Sequence, residues 1–133
     1  MFPKVVRTDY EPPQNCVSLT RYFYSPSERT DAALNQQLLG AELRLRGVVS
    51  RPLQSHQHEA LLCLVSDIVA GLAFSPSVSF EKSFLVVALN KGMFQIAAAE
   101  FHSFCYADGR VQPRVWEKRK AEAFLFTQGH LLF

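Results

Sequence analysis

The stretch "HEALLCLVSDIVAGLAF", His58 to Phe74, is apolar on every side of the helix that it would form. Between Ala60 and Phe74 the polar side chains are those of Ser66 and Asp67. A helix that is apolar all round is buried inside its domain, and an ionised carboxylate there is costly unless it is paired or hydrogen-bonded. The stretch therefore predicts a central helix in which Asp67 is either satisfied structurally or used chemically.

The composition is that of a chain that folds into one domain. It has 133 residues, of which 48% are hydrophobic and 20% charged, with eleven Phe. This balance is typical of globular proteins, and the length suits a single core. We divide the chain into an extended, proline-containing N-terminal arm over residues 1–15 and one domain over residues 16–133.

Charge and apolar runs limit the partners and the location. A formal charge of +2 argues against a nucleic-acid binder, which would carry a basic stripe or a higher pI. No apolar run has the length of a signal peptide core or a membrane span, and the three cysteines lack the paired spacing of a disulfide framework. We expect a cytoplasmic protein without a membrane span.

Strand signals and one helix signal precede the central helix. The segment "CVSLTRYFY" (16–24) is rich in residues that favour strands. "AELRLRGVV" (41–49) alternates apolar and charged side chains, which is typical of a strand with one wet face. Between them, the pattern from Ser27 to a stop at Gly40 predicts a short helix.

After the central helix the chain reads as consecutive strands. These are "SVSFEKSFLVVALN" (77–90), "KGMFQIAAAEFHSFCY" (91–106), "RVQPRVW" (110–116) and a last strand within "KAEAFLFTQGHLLF" (120–133). The turns between the first three, at 90–92 and 107–109, contain residues that accept positive φ and so favour hairpins. The order predicts an α+β domain: an antiparallel sheet wrapped around one long central helix, with a short helix before it. Because such a sheet leaves unpaired edges, we also expect a homodimer.

Several of these segments resemble hot-dog-fold acyl thioesterases. The layout is similar to that family, and "HEALLCLVSD" (58–67) is similar to the helix that carries the catalytic aspartate in acyl-CoA thioesterases of type II. "LLGAELRLRG" (38–47) looks like the lead-in to a first strand, and "YADGRV" (106–111) like a last hairpin. The resemblance implies hydrolysis or binding of an acyl thioester on coenzyme A or a carrier protein, with no bound cofactor.

The resemblance also implies roles for individual residues. The helix N-terminus near His58 would polarise the thioester carbonyl, and Asp67 would activate the attacking water. Ser83 would place a hydroxyl beside the acid. Basic side chains at the rim would bind the phosphates of coenzyme A, and the candidates are Arg114, Lys118 and Arg119.

Rival sites have less support. A zinc site from His56, His58, His102 and Cys105 would need the last two, three residues apart on a predicted strand, to face the same way, and they cannot. We therefore predict no metal site. Cys63 lies in the apolar helix, where a thiol stays protonated, so it is interpreted as a packing residue.

Two interpretations without catalysis stay open. Asp67 could be satisfied by a neighbouring element and have no chemical role. The whole chain could also be a non-catalytic interaction subunit of a larger assembly, docking through its proline-containing arm and through "HLLF" at 130–133. Dependence of thioester hydrolysis on Asp67 would separate these interpretations from an enzyme.

Overall fold

The computed structural model describes residues 11–75 and 78–131. This part of the chain is mostly helical. Its α-helices are α1 (Gln14–Phe23), α2 (Asp31–Val48), α3 (Ser55–Val69), α4 (Phe84–Asn90), α5 (Phe94–Ala99) and α6 (Pro113–Gln128). Short 3₁₀ turns, at Phe80–Lys82 and Glu100–Ser103, precede α4 and follow α5.

The predicted central helix is confirmed as α3. It packs against α1, α2 and α6, and every residue from Ala60 to Asp67 is buried. The side chain of Gln54 caps its first turn, with Gln57 closing the reciprocal half of the capping box. Gly71, whose φ is +76°, follows the last turn in the left-handed conformation that glycine adopts without strain.

The predicted strand over 41–49 is wrong, because residues 41–48 belong to α2 and Val49 caps its end. Thr30 caps this helix by accepting a hydrogen bond from the Ala33 N–H at 3.2 Å. The buried residues of α2 recur at helical spacing, at Leu34, Leu38, Ala41 and Leu45. The local alternation of Leu and Arg hid this longer period, and the helix runs through Gly40 rather than stopping there.

The strand predicted over 16–24 is also wrong, since its residues form α1 and the turn after it. Glu59 of α3 holds the N-terminus of this helix. Its Oε2 accepts hydrogen bonds from the backbone N–H groups of Asn15 at 2.8 Å and Cys16 at 3.3 Å. An acidic group at a helix N-terminus satisfies free N–H groups and matches the positive end of the dipole.

The predicted meander after the central helix is wrong except at one hairpin. Residues 84–99 form α4 and α5, and the turn at 90–92, with Gly92 at φ +75°, joins two helices. Apolar runs of this length fit a buried helix as well as a strand. The other predicted hairpin exists: β1 (Tyr106–Ala107) pairs antiparallel with β2 (Arg110–Val111), and Asp108 and Gly109 between them both have positive φ.

The predicted last strand is wrong too, and with it the fold class. Residues 113–128 form α6, with Pro113 at its start and Gly129 after its end. The described sheet is a single two-stranded hairpin, so a sheet wrapped around a helix does not exist here, and a helical domain takes its place. The arm predicted over 1–15 falls mainly on residues 1–10, which lie outside the described residues, as do Leu132 and Phe133 of the C-terminal end.

Among the described residues, no helix is both long enough and apolar enough to cross a membrane.

Replacing Glu59 by alanine should destabilise the fold through α1. The change removes the acceptor of two N–H groups, and loss of a helix cap costs about 1–2 kcal/mol. Urea unfolding at neutral pH would measure it. As a control, Glu117→Ala removes an exposed glutamate that pairs with Lys120 on the surface of α6 and should change the unfolding free energy by less than about 0.5 kcal/mol. Equal effects of the two substitutions would contradict the capping role.

Candidate functional site

Asp67 lies in a cluster of buried charges that we call the buried charge cluster. Its members come from α3, from the turn before α2 and from α6, and each is at most 2% exposed. They are Asp67, Arg29, Lys118, Arg119 and Glu122. Three cations thus share two carboxylates in the interior.

The Asp67 carboxylate is contacted on both oxygens. Arg29 donates to Oδ1 through Nη1, and Arg119 donates to Oδ2 through Nη2. Lys118 Nζ lies 3.0 Å from the same Oδ2, and the Tyr24 hydroxyl donates to it at 3.1 Å. A buried carboxylate with this many donors is fully compensated.

Glu122 completes the pairing on α6. Its Oε2 accepts hydrogen bonds from Lys118 Nζ at 2.6 Å and Arg119 Nη2 at 2.9 Å. Arg119 also donates to the Phe104 carbonyl at 3.1 Å, and Arg29 donates to Gln37 of α2 at 2.7 Å. The cluster therefore ties α2, α3, α6 and the segment before the hairpin to one another.

The electrostatics of the cluster favour the charged forms of Asp67, Lys118 and Arg119. Burial raises the pKa of the Asp67 carboxyl, but attraction from Lys118, Arg119 and Arg29 outweighs it, so the pKa lies well below its usual range. Burial lowers the pKa of Lys118, and the charges of Asp67 and Glu122 more than reverse this. A carboxylate that stays ionised in this way is a poor general acid.

Accessibility argues against acid–base chemistry at Asp67 as well. The residue is 0% exposed, and both of its oxygens face protein donors. A water or a substrate has no place beside it. The interpretation that Asp67 is satisfied by its neighbours therefore fits the geometry better than a catalytic one.

A solvent-open groove lies over the Tyr24 side of the cluster. We call it the hairpin groove; its volume is about 320 Å³. Its lining comes from Tyr24, the segment that follows α3, the hairpin and the start of α6. The lining residues are Tyr24, Gly71, Leu72, Phe74, Ala107, Asp108, Gln112, Pro113, Arg114 and Val115. Phe74 is 46% exposed, so an aromatic face is available to a ligand.

Polar groups of the groove are held by the hairpin and by one ion pair. Gln112 donates through Nε2 to the Ala107 carbonyl at 2.8 Å, which fixes the side chain along the hairpin. Arg114 lies 4.8 Å over the Tyr24 ring and pairs with Glu28 at 2.8 Å. Asp108, at the tip of the turn, contributes the carboxylate of the lining.

The structure brings four of the six predicted site residues together. Asp67, Lys118 and Arg119 are in direct contact within the buried charge cluster. Arg114 lines the groove and lies 4.8 Å over the Tyr24 ring, which Lys118 of the cluster also approaches, at 5.8 Å. Because Lys118 and Arg119 are buried, they are not placed to bind phosphates at a surface.

His58 and Ser83 lie apart from that group. His58 is in the first turn of α3, about 13 Å along the helix from Asp67, and contacts Glu42 at 3.1 Å. Ser83 caps α4: its hydroxyl donates to the Phe80 carbonyl at 2.7 Å and accepts from the Val86 N–H. Neither contacts the buried charge cluster or lines the hairpin groove.

Sequence reasoning missed Tyr24, Arg29, Glu122, Asp108 and Gln112. A signal existed for Glu122, since it follows Lys118 by one helical turn, the spacing of an ion pair on a helix. The buried residues of α6 have helical spacing, at Val115, Lys118, Arg119, Glu122 and Leu125. In the sequence, however, the charged residues among them indicate a solvent-exposed face. Tyr24 and Arg29 carried no comparable signal.

The described residues contain no candidate centre for metal or thiol chemistry. In residues 11–75 and 78–131, no three His, Cys, Asp or Glu side chains are grouped so that they could hold a metal ion. The three cysteines are free and buried.

Replacing Asp67 by asparagine should destabilise the protein by about 3–5 kcal/mol, the typical cost of breaking a buried ion pair from one side. Glu122 would then be the one carboxylate left in the cluster, and Arg29 would lose its ion pair. Urea unfolding would measure the loss, with Asp31→Asn as the matched control, because the Asp31 side chain is 89% exposed in its pair with Arg21. A loss below about 1 kcal/mol for Asp67→Asn would contradict the role given to the cluster.

The stability of the wild type should fall in acid. The folded pKa of Asp67 lies below its unfolded value of about 3.9, so its contribution is complete above that value and is lost as the pH falls towards the folded pKa. The difference in unfolding free energy between wild type and Asp67→Asn should therefore shrink between about pH 5 and pH 2. A difference that stays constant over this range would show that the charge of Asp67 is not the cause.

Comparison with known proteins identifies a different family from the one that the sequence resembled. No curated protein sequence matches the chain. A family model described as phage lysozyme matches residues 14–122, which include the whole buried charge cluster and every residue of the hairpin groove. This match and the helical fold overturn the resemblance to hot-dog thioesterases.

The functional predictions that rested on that resemblance are wrong with it. Hydrolysis or binding of an acyl thioester, and a substrate on coenzyme A or a carrier protein, conflict with the family match. The alternative that did not rest on the resemblance, a non-catalytic interaction subunit, is not supported by the match either. The cytoplasmic location and the homodimer stay predictions. Because the family model covers most of the chain, from α1 to the second half of α6, the protein belongs to the phage lysozyme family.

Proposed function

We propose that this protein acts on bacterial peptidoglycan, holding its glycan strand in the hairpin groove, where Asp108 assists hydrolysis of a glycosidic bond. The observation that carries the proposal is the extent of the family match. Residues 14–122 match phage lysozyme, and all residues that line the groove lie within that range. Peptidoglycan is the substrate class that the name of the family implies.

The groove has the chemistry that a sugar ring requires. A pyranose presents apolar C–H faces and a rim of hydroxyl groups. Phe74, nearly half exposed, offers an aromatic face, and Asp108 and Gln112 offer polar groups beside it. A concave site with apolar walls and a few fixed polar groups is the usual form of a small-ligand site. Its volume of about 320 Å³ suits one or two sugar rings of a longer strand.

Hydrolysis of a glycosidic bond usually needs carboxyl groups that flank it. Asp67 and Glu122 are buried and ion-paired, which leaves the carboxyl groups nearer the solvent. Asp108 lines the groove, and Glu28 is held at its rim by Arg114. Hydrogen bonds donated by the backbone N–H of Ser25 and by the Arg114 side chain lower the pKa of Glu28, so Glu28 suits an ionised, charge-stabilising role. Asp108 is the group assigned to proton transfer.

A second candidate function is binding of the glycan strand without cleavage. It is favoured by a specific observation: Asp67, which accepts a hydrogen bond from Tyr24 of the groove lining, and Glu122 are both committed to buried cations. A groove with one free carboxylate in its lining binds a sugar without necessarily hydrolysing it. The same experiment separates the two functions.

The test is to incubate the purified protein with peptidoglycan sacculi, measuring co-sedimentation for binding and release of reducing ends for hydrolysis. Asp108→Asn should keep binding within about threefold and lose hydrolysis by about 10²-fold or more, as expected for a general acid or base. Asparagine tolerates the positive φ of this position. Phe74→Ala should weaken binding by about tenfold, as loss of a contact worth about 1.4 kcal/mol would do.

Glu117→Gln serves as the control, because Glu117 lies on α6 outside the groove and pairs with Lys120. It should change neither binding nor hydrolysis. Binding by a folded wild type with no release of reducing ends would select the second candidate. Absence of binding to sacculi, or equal binding by Phe74→Ala, would overturn the placement of the glycan in the hairpin groove.

A further inference from the structure

A second concave site lies at the other end of α3, away from the hairpin groove. It is a hollow of about 170 Å³ between the end of α2 and the first turn of α3, and we call it the distal pocket. It is lined by Leu45, Arg46, Val49, Arg51, Leu53 and His58. The lining combines three aliphatic side chains with three side chains that carry nitrogen donors.

The charge of the distal pocket is positive. Glu42 is the carboxylate that approaches its donors: Oε2 lies 3.1 Å from His58 Nε2 and 3.8 Å from Arg46 Nε. The lining thus contains two guanidinium groups, those of Arg46 and Arg51, and Glu42 approaches the first of them. The pocket therefore has an excess of cationic donors over acceptors.

Arg51 carries that excess. Within the described residues, its side chain has no ion pair and no hydrogen-bond acceptor. Its guanidinium nevertheless has a defined position, because it packs on the turn between α4 and α5. A Cβ at Gly92 would lie 3.0 Å from Arg51 Cζ, so the guanidinium occupies the space that glycine leaves there. Arg51 therefore lines the distal pocket with a side chain whose donors have no acceptor among the described residues.

We propose that the distal pocket binds a small carboxylate that carries an apolar body of about the size of a benzene ring. The volume is close to that of an engineered apolar cavity of about 150 Å³ that binds benzene. Leu45, Val49 and Leu53 would pack against the apolar body. Arg51 would take the carboxylate through paired N–H donors, the geometry in which guanidinium binds carboxylates best.

This site is separate from the proposed peptidoglycan site. His58, in its lining, lies about 13 Å along α3 from Asp67, and the two pockets share no lining residue. The inference does not depend on the proposed function. Failure of one leaves the other standing.

The test is a titration of the protein with 4-fluorobenzoate, followed by fluorine NMR of the probe. We expect saturable binding in about the millimolar range, the affinity of a ligand with few atoms. Arg51→Gln should weaken it at least tenfold. Arg110→Gln, which removes an exposed arginine of the hairpin outside the pocket, should leave it unchanged. The neutral isostere 4-fluorobenzamide should bind at least tenfold more weakly than the acid.

The carboxylate could belong to a free acid or to the C-terminus of a peptide, so the titration has a second arm. N-acetyl-4-fluorophenylalanine binding more tightly than 4-fluorobenzoate would indicate a peptide C-terminus, and the reverse order a free acid; either supports the site. Equal binding of acid and amide, no effect of Arg51→Gln, or no saturation by the folded wild type would overturn the proposal.

Discussion

The carboxylate of Asp67 needs cations from other elements to offset its charge. The other polar side chain in the buried part of its helix is that of Ser66, and its hydroxyl donates to the Cys63 carbonyl. The matching cations lie outside that helix: Arg29 precedes α2, and Lys118 and Arg119 lie on α6. An alternative packing that rotated α6 or moved the turn at Arg29 would leave buried charges bare, at a cost of several kcal/mol per ion. The position of α6 against α3 is therefore tied to this single carboxylate.

The cluster also shapes the groove above it through Tyr24. The hydroxyl of this residue donates to Asp67 at 3.1 Å, and burial together with the charge of Asp67 raises the pKa of Tyr24, so the phenol stays neutral. Its ring lies between the interior cations and the solvent, with Arg114 at 4.8 Å over it. A cation over an aromatic face is attracted by it. Tyr24 thus forms the floor of the hairpin groove and separates that groove from the charges below.

How far the sequence predicts this structure depends on whether burial follows hydrophobicity. Burial follows hydrophobicity in α3, which is apolar all round. The 107–109 turn is predictable for a different reason, because Asp108 and Gly109 favour positive φ. Burial does not follow hydrophobicity in α6, whose buried face contains Lys118, Arg119 and Glu122. The two cations are tolerated in the core because they pair with Asp67 and Glu122. Hydrophobicity is a misleading guide to burial in α2, where Leu43 is 67% exposed and Leu45 is 2% exposed. In α2 the local alternation hid the helical period, whereas in α6 ion pairs between residues far apart in the sequence decided which charges are buried, and no local pattern contains those pairs.

The same pairing explains why the most conspicuous residue of the sequence is not the residue to which chemistry is assigned. A carboxylate in an apolar helix is noticeable because its burial is costly, yet the partners that offset the cost also hold its proton affinity low and exclude water. A carboxylate suited to proton transfer needs solvent or substrate beside it and a pKa near the working pH. In this fold the first of these conditions is met outside the core, at the hairpin tip, where the turn that Asp108 helps to form also places its side chain in the lining of the groove. Chemistry at this groove must therefore come from residues that surround the buried charge cluster, while the cluster fixes the helices that carry them.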